Sequence, residues 1–435
     1  MESLFKIREN GSTFWTEVLA GVTTFVTMSY IIFVNPGILS QTGMDFNSLV
    51  VVTCLASALG TFLMAVMANY PIALAPGMGL NAFFTFGVVL TMKANGAPVT
   101  WKMALAAVFI EGLIFVLLTL TKLREMVVDT IPKSLKIGIS AGIGLFITFI
   151  GLQSAGIVVN DEATLLALGH IKGNMPMMLS LLGLFIMAIL TAWNVKGALL
   201  IGILAVTGIA AAMGLVSCPE TFVSQPPSIM PLVGQLDFSL ISHVDFWVVV
   251  FTFFFVDFFD TVGTLVGVCN RSGLLDEQGR LPRAKGALMA DAIATMAGAA
   301  LGTSTVTSYV ESSSGVAQGG RTGLTAIVTA LLFVGAIFFT PLVGMVPSYA
   351  TAPALILVGF YMMVSLRDLN YDDWTEFFPS LLGFFMMPLS YSISIGIEFA
   401  IVSYVLIKIL AGKSRDVSLL MMLLAVLFVV KEFMA

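Results

Sequence analysis

From Phe246 to Cys269 the chain reads FWVVVFTFFFVDFFDTVGTLVGVC, and the only charged residues in that stretch are Asp257 and Asp260. A helix needs about 20 apolar residues to cross the hydrocarbon core of a bilayer, so this run fits a membrane span and little else. The rest of the chain follows the same pattern. Of its 435 residues 58% are hydrophobic and 10% are charged, against about 25% charged in an average soluble domain. A water-soluble globule is therefore excluded, and the expected surroundings are a lipid bilayer.

Fifteen apolar runs can be marked, the first at 15–35 and the last at 416–433. Two of them, 79–91 and 310–320, are too short to cross as helices. The last run reads either as a span or as an interfacial helix. With the N-terminus inside, Lys122, Arg124, Lys133 and Lys136 fall in one cytoplasmic loop, and Arg271, Arg280, Arg283 and Lys285 in another. The loop at 217–245 on the opposite side has no Lys or Arg, as the positive-inside rule expects of a multi-pass protein in a cytoplasmic membrane. The net charge of −5 and the scattered Cys54, Cys218 and Cys269 point to no nucleic-acid partner, disulfide framework or metal site. His170 and His243 sit in loop-like stretches. No cofactor is expected, nor any enzymatic activity. GMGLNA only imitates a dinucleotide fingerprint, and GKS at 412–414 lacks the earlier glycine of a phosphate loop.

The two halves of the chain resemble each other. SLLGLFIM from Ser180 is matched by SLLGFFMM from Ser380, and Gly144 is matched by Gly359, 215 positions on. By the loop count the segments after the two strings lie on opposite sides. Halves of opposite orientation are the mark of an inverted repeat, and so of a secondary transporter. Thr27 and Asp257 stand 230 positions apart, as do Asn81 and Glu311. Asn81 and Glu311 lie in the short, interrupted segments, which point to a binding site at mid-membrane. TSTVTSYV before Glu311 is β-prone, and extended backbone at that depth is tolerated only in the protein interior or beside a cavity.

The polar residues at these breaks are the candidate site. Asp257 and Asp260, three apart, are read as sharing a helix face; a charge at the bilayer centre costs about 2.5–3.5 kcal/mol on insertion scales, so two in one span need a function. An ion pair with Arg321 is the bland alternative. Glu311 stands where a half-helix begins, either as a cap or as an acceptor for ligand N–H groups. Asn81 offers both a donor and an acceptor. Phe83, Phe84, Phe258 and Phe259 flank these groups, as suits a flat heterocycle stacked on one face and bonded at its edge. Burial and like-charged neighbours favour the neutral form of a carboxyl group, so Asp257, Asp260 and Glu311 are candidates to carry a coupling proton. Sodium remains the other candidate ion. Glu17 and Glu111 read as structural.

TMSYIIFVNPGIL, APGMGLNAFF, VDFFDTVGTLVG and TSTVTSYVESSSGVAQGGRTGL resemble the adenine/guanine/hypoxanthine permease branch of the nucleobase–cation symporter superfamily, and the likeness runs over essentially the whole chain. The resemblance implies an all-α polytopic membrane fold of about fourteen segments, in a seven-plus-seven inverted repeat with two discontinuous segments. It implies a core domain, 1–121 and 216–344, that moves like an elevator against a gate domain, 122–215 and 345–435, often within a homodimer. By motif, Asp260 and Glu311 match the family's substrate-binding carboxylates, and Thr264 stands where the uracil branch has a histidine. Asn81 and Asp257 match positions the purine branch needs. Thr27 and Ser312 complete the expected binding set. The implied activity is proton-coupled uptake of a purine nucleobase. An anion (sulfate or dicarboxylate) transporter, or a uracil/xanthine permease, of the same fold is the alternative, and a channel-like or structural membrane protein is a further rival.

Overall fold

This computed structural model of the chain describes residues 2–94, 99–121, 132–272, 274 and 281–434. Lys122, Arg124 and Arg280, among the basic residues used above, lie outside the described residues, as do the side chains of Phe259 and Arg271.

The elements that frame the site recur in the same order in each half. The first half runs α1 (Phe14–Met28), α2 (Ile31–Leu39), α3 (Phe46–Ala68), β1 (Leu74–Pro76), α4 (Met78–Ala82), α5 (Trp101–Leu120), α6 (Lys133–Ser154), α7 (Met175–Ala192) and α8 (Ala198–Ala212), with a hairpin of β2 (Val158–Asp161) and β3 (Leu165–Leu168) between α6 and α7. The second half runs α9 (Val244–Ser272), α10 (Ala284–Leu301), β4 (Val306–Ser308), α11 (Ser312–Ala317), α12 (Gly323–Ala336), α13 (Ser348–Met363), α14 (Trp374–Leu389), α15 (Ile393–Leu410) and α16 (Leu419–Met434). Among the described residues, nine helices are long and apolar enough to cross a bilayer. Met78–Ala94, Ala198–Ala212 and Leu419–Val430 are shorter apolar helices. The run at 416–433 becomes α16, which packs on α15 and, through Phe428, on Phe251 of α9.

Local chemistry sets the helix ends. The Asp45 carboxylate accepts from Ser48 N–H at 2.8 Å and opens α3, which closes on Asn69 in the left-handed region at φ 51°. Asn174 caps α7 ahead of Pro176, and Ser392 caps α15. Between the halves, β1 and β4 pair antiparallel in the register Leu74↔Ser308, Ala75↔Thr307 and Pro76↔Val306. Each strand is buried and runs into a helix start, so their backbone groups satisfy one another where no water is available. The β-prone TSTVTSYV run thus supplies β4. After α4 the backbone widens into a π-helical stretch over Phe83–Leu90, a rare geometry found mostly at functional sites.

The helices pack in two groups. In one, α1 to α5 and α9 to α12 surround the β1–β4 pair. In the other, α6 to α8 pack with α13 to α16. The groups meet where α6 touches α4 and α9, where α8 touches α1, where α13 touches α2 and where α15 touches α9.

Candidate functional site

The site forms where the two strands end. β1 gives way at Gly77 to α4, and β4 gives way through Tyr309 and Val310 to Glu311, the residue before α11. Tyr309 Oη donates to the carbonyl of Pro76 at 2.6 Å and ties the two strand exits together. The two first turns and the α9 face carrying Val256, Asp260 and Thr264 enclose a cavity of about 90 Å³. At ~15 Å³ per water-sized sphere it exceeds what a single ion needs. The far wall is apolar except for Ser140, with Ile139 and Ile143 from α6 and Val358 and Met362 from α13. The inner cavity opens past Ser140, Asp260, Thr264 and Glu311 into a vestibule of about 720 Å³, whose mouth carries Asn194, Lys196, Arg367 and Asp368.

Asp260 and Glu311 are thus brought together on one cavity wall, with Thr264 a helical turn from Asp260. Glu311 makes no side-chain bond to the helix it precedes. Its Oε1 instead accepts from Tyr30 Oη at 2.6 Å, so the cap reading does not describe its carboxylate. Thr27 lines the vestibule. Its hydroxyl donates back to the carbonyls of Thr23 and Thr24 at 3.0 and 2.9 Å.

Asn81, Asp257, Phe83, Phe84, Phe258 and Ser312 stand behind the wall and line neither space. Asp257 is fully buried beyond the cavity edge, where the Thr261 hydroxyl lies 3.5 Å from its Oδ1 and donates to Asp291 Oδ1 at 2.8 Å. The spacing puts the two aspartates on neighbouring positions of the helix, yet only Asp260 lines the cavity. Residues three apart differ by about 60° around a helix axis, and here the cavity edge falls between them. Asn81 Oδ1 accepts from the Ser304 hydroxyl, and its Nδ2 has no hydrogen-bond partner among the described residues. The Ser312 hydroxyl accepts from Ala73 N–H at 3.0 Å. Phe83 packs edge-on to Phe253 with ring centroids 4.8 Å apart, and Phe258 stacks near Phe115 and Phe254. Phe83, Phe84 and Phe258, expected to flank a ligand, are core packing here.

Arg321 is engaged elsewhere. Its guanidinium donates to the carbonyls of Val316 and Gly320, and its N–H donates to Glu17. Glu17 also accepts from Thr322 and Thr325 at the start of α12, which makes it a structural cap. The residues missed from the sequence are Tyr30, Tyr309, Ser308 and Ser140, together with the apolar wall. Ile143 and Val358 stand 215 apart, the same offset as Gly144 and Gly359, and that signal would have found them.

The sequence model of the xanthine/uracil permeases, described as the Permease family, matches residues 16–429. The chain is 46% identical over 431 residues to the adenine permease AdeP of Escherichia coli K12, covering 99% of this chain and 95% of that one. It is 43% identical over 435 residues to the guanine/hypoxanthine permease PbuO of Bacillus subtilis 168, covering 99% and 100%. In structure it is similar to the transmembrane domain of the cyanobacterial bicarbonate transporter BicA, with a TM-score of 0.66, 14% identity and coverage of 88% of this chain and 96% of that one. At that identity the likeness is one of fold, the seven-plus-seven inverted repeat. The chain therefore belongs to the permease family, in the xanthine/uracil permease superfamily and the branch of its adenine and guanine/hypoxanthine members.

Proposed function

We propose that this permease imports a purine nucleobase, adenine or guanine/hypoxanthine, across the cytoplasmic membrane by proton symport. The observation that carries this reading is the pair Asp260 and Glu311 on one mid-fold cavity, at the break between two half-helices. Carboxylates accept from ring and exocyclic N–H groups, and Tyr309 adds an aromatic ring to the cavity lining against which a flat base packs. The names of the relatives, adenine permease and guanine/hypoxanthine permease, support the same substrate class. Asn81, Asp257 and Ser312 act one layer back, holding β4 and the half-helix starts. Thr27 and Thr264 border the cargo's path.

In this reading the core, residues 1–121 and 216–344, carries the cargo against the gate, residues 122–215 and 345–435. The N-terminus is cytoplasmic. The vestibule mouth at Lys196 and Arg367 then faces the cytoplasm, since Lys and Arg collect on that side. A carboxylate of the site takes up a proton outside and gives it up inside. One charge moved through ~100 mV is worth about 2.3 kcal/mol, enough to concentrate a neutral base well over tenfold at ~1.4 kcal/mol per decade.

The anion-transporter reading fares worse on the wall itself. Among the described residues, the inner cavity carries two carboxylates and no Lys or Arg. The test is uptake of labelled adenine, guanine, hypoxanthine and sulfate by cells lacking their own permeases. It is run with and without an uncoupler, in sodium-free and sodium-containing medium. Purine uptake that collapses with the uncoupler and ignores sodium is expected. Sulfate uptake, or purine uptake indifferent to the uncoupler, would contradict the proposal.

A further inference from the structure

We infer that Tyr30 is the positioning residue for Glu311: its hydroxyl holds one carboxylate oxygen so that the other faces the N–H edge of the cargo. The inference rests on the nucleobase reading and goes beyond it by giving a role to a residue outside the expected binding set.

Tyr30 lies where α1 gives way to α2, one residue after the C-terminal cap of α1 and directly before Ile31. It borders the cavity yet is only 1% exposed, so packing holds its ring. Glu311 comes from the other half of the chain and is partly open to the cavity. A glutamate has three side-chain torsions, and the helix that follows Glu311 holds none of them through a cap bond. The bond from Tyr30 Oη to Oε1, at 2.6 Å, supplies the missing constraint. Phenol hydroxyl to carboxylate is a short, charge-assisted bond that sets direction as well as distance.

The direction of donation matters. The phenol is the donor, so the carboxylate keeps its acceptor role, and its second oxygen, with those of Asp260, is left for a ligand. A ligand that presents adjacent N–H groups along one edge fits such a pair of acceptors; one without them does not. Tyr309, the other tyrosine in the wall, has its hydroxyl committed to Pro76, so it does not substitute for Tyr30.

A residue that works through Glu311 should lose its influence when Glu311 can no longer play its part, whereas a residue that merely packs should not. The experiment is a double-mutant cycle on the purified full-length protein. Binding of adenine, guanine and hypoxanthine is titrated by calorimetry for wild type, Tyr30→Phe, Glu311→Gln and the double variant. Tyr30→Phe keeps the ring and removes the donor. We expect it to bind the preferred base about tenfold more weakly than wild type, with an unchanged melting temperature for the empty protein. In the Glu311→Gln background the same change should alter affinity less than twofold. Glu311→Asp, one methylene short of the hydroxyl, serves as the second background if Glu311→Gln binds too weakly to titrate. Tyr30→Phe binding within twofold of wild type, or the same factor lost in both backgrounds, overturns the inference. Wild-type protein that binds none of the three bases overturns the nucleobase reading itself, a result separate from either variant outcome.

Discussion

A Cβ on Gly144 would stand 2.6 Å from the carbonyl oxygen of Gly359, and a Cβ on Gly359 would collide with the carbonyl oxygen of Gly144. These two repeat-related glycines are where α6 and α13 cross backbone to backbone. Small residues permit such crossings between helices in a membrane. The crossing also aims Ile143 and Val358, one position earlier on each helix, at the cavity. Adding one methyl group at Gly359 should therefore cost stability, by about 1–3 kcal/mol as for other overpacked sites. Thermal unfolding of Gly359→Ala in detergent measures it; a melting temperature equal to wild type would show that the helices can part without cost.

On the side away from the vestibule, the two helix groups are pinned together. The hydroxyls of Thr252 on α9 and Ser394 on α15 lie 2.6 Å apart. Beside them Tyr391, in the left-handed region at φ 56°, donates to Gln153 at 2.9 Å and meets the rings of Phe86, Phe146 and Phe149. If alternating access moves one group past the other, this seal must open in every cycle. A Thr252→Cys/Ser394→Cys pair should form a disulfide under mild oxidant, cut uptake to background, and recover on reduction. Uptake that continues in the cross-linked protein would show that the seal stays shut during transport.

At the opposite membrane face, Asp373 caps α14 through Thr375 and pairs with Lys413 at 3.0 Å. The bond from the Thr375 hydroxyl, and then that from Lys413, holds the Asp373 carboxyl well below the usual carboxylate range. A lowered native value means that the stabilisation is complete above the unfolded value of about 3.9 and fades only as pH falls below it. Asp373→Ala should therefore cost about 1 kcal/mol, by the same amount at pH 8, 7 and 5, with the gap to wild type narrowing below about pH 4. Melting curves across that series check it. A gap that widens with acid would reverse the sign of the linkage.

Much of this arrangement was readable in the sequence. The apolar runs gave the spans, and the β-prone run before Glu311 gave β4. Repeat offsets aligned the two broken segments, and Asp260 and Glu311 stood out because charge within hydrocarbon is costly. What escaped has physical reasons. Asp257 and Asp260 differ by less than a quarter turn, so the neighbours of α9 decide which one meets the cavity, and sequence periodicity does not contain those neighbours. Tyr30 sits in an apolar run where an aromatic residue looks like lipid-facing bulk; only its partner 281 positions away reveals its hydroxyl. Phe83 lies near the break in sequence, yet its ring packs against Phe253.

The proposed transport depends on Asp260 and Glu311 holding the cargo together. Its most direct test is nucleobase counterflow in liposomes containing purified wild type, Asp260→Asn or Glu311→Gln, each first shown to insert and to melt like wild type. Exchange of labelled purine by wild type is expected, and none above empty liposomes by either variant. Full exchange by either variant would contradict it, because that carboxylate would then have no part in the binding site.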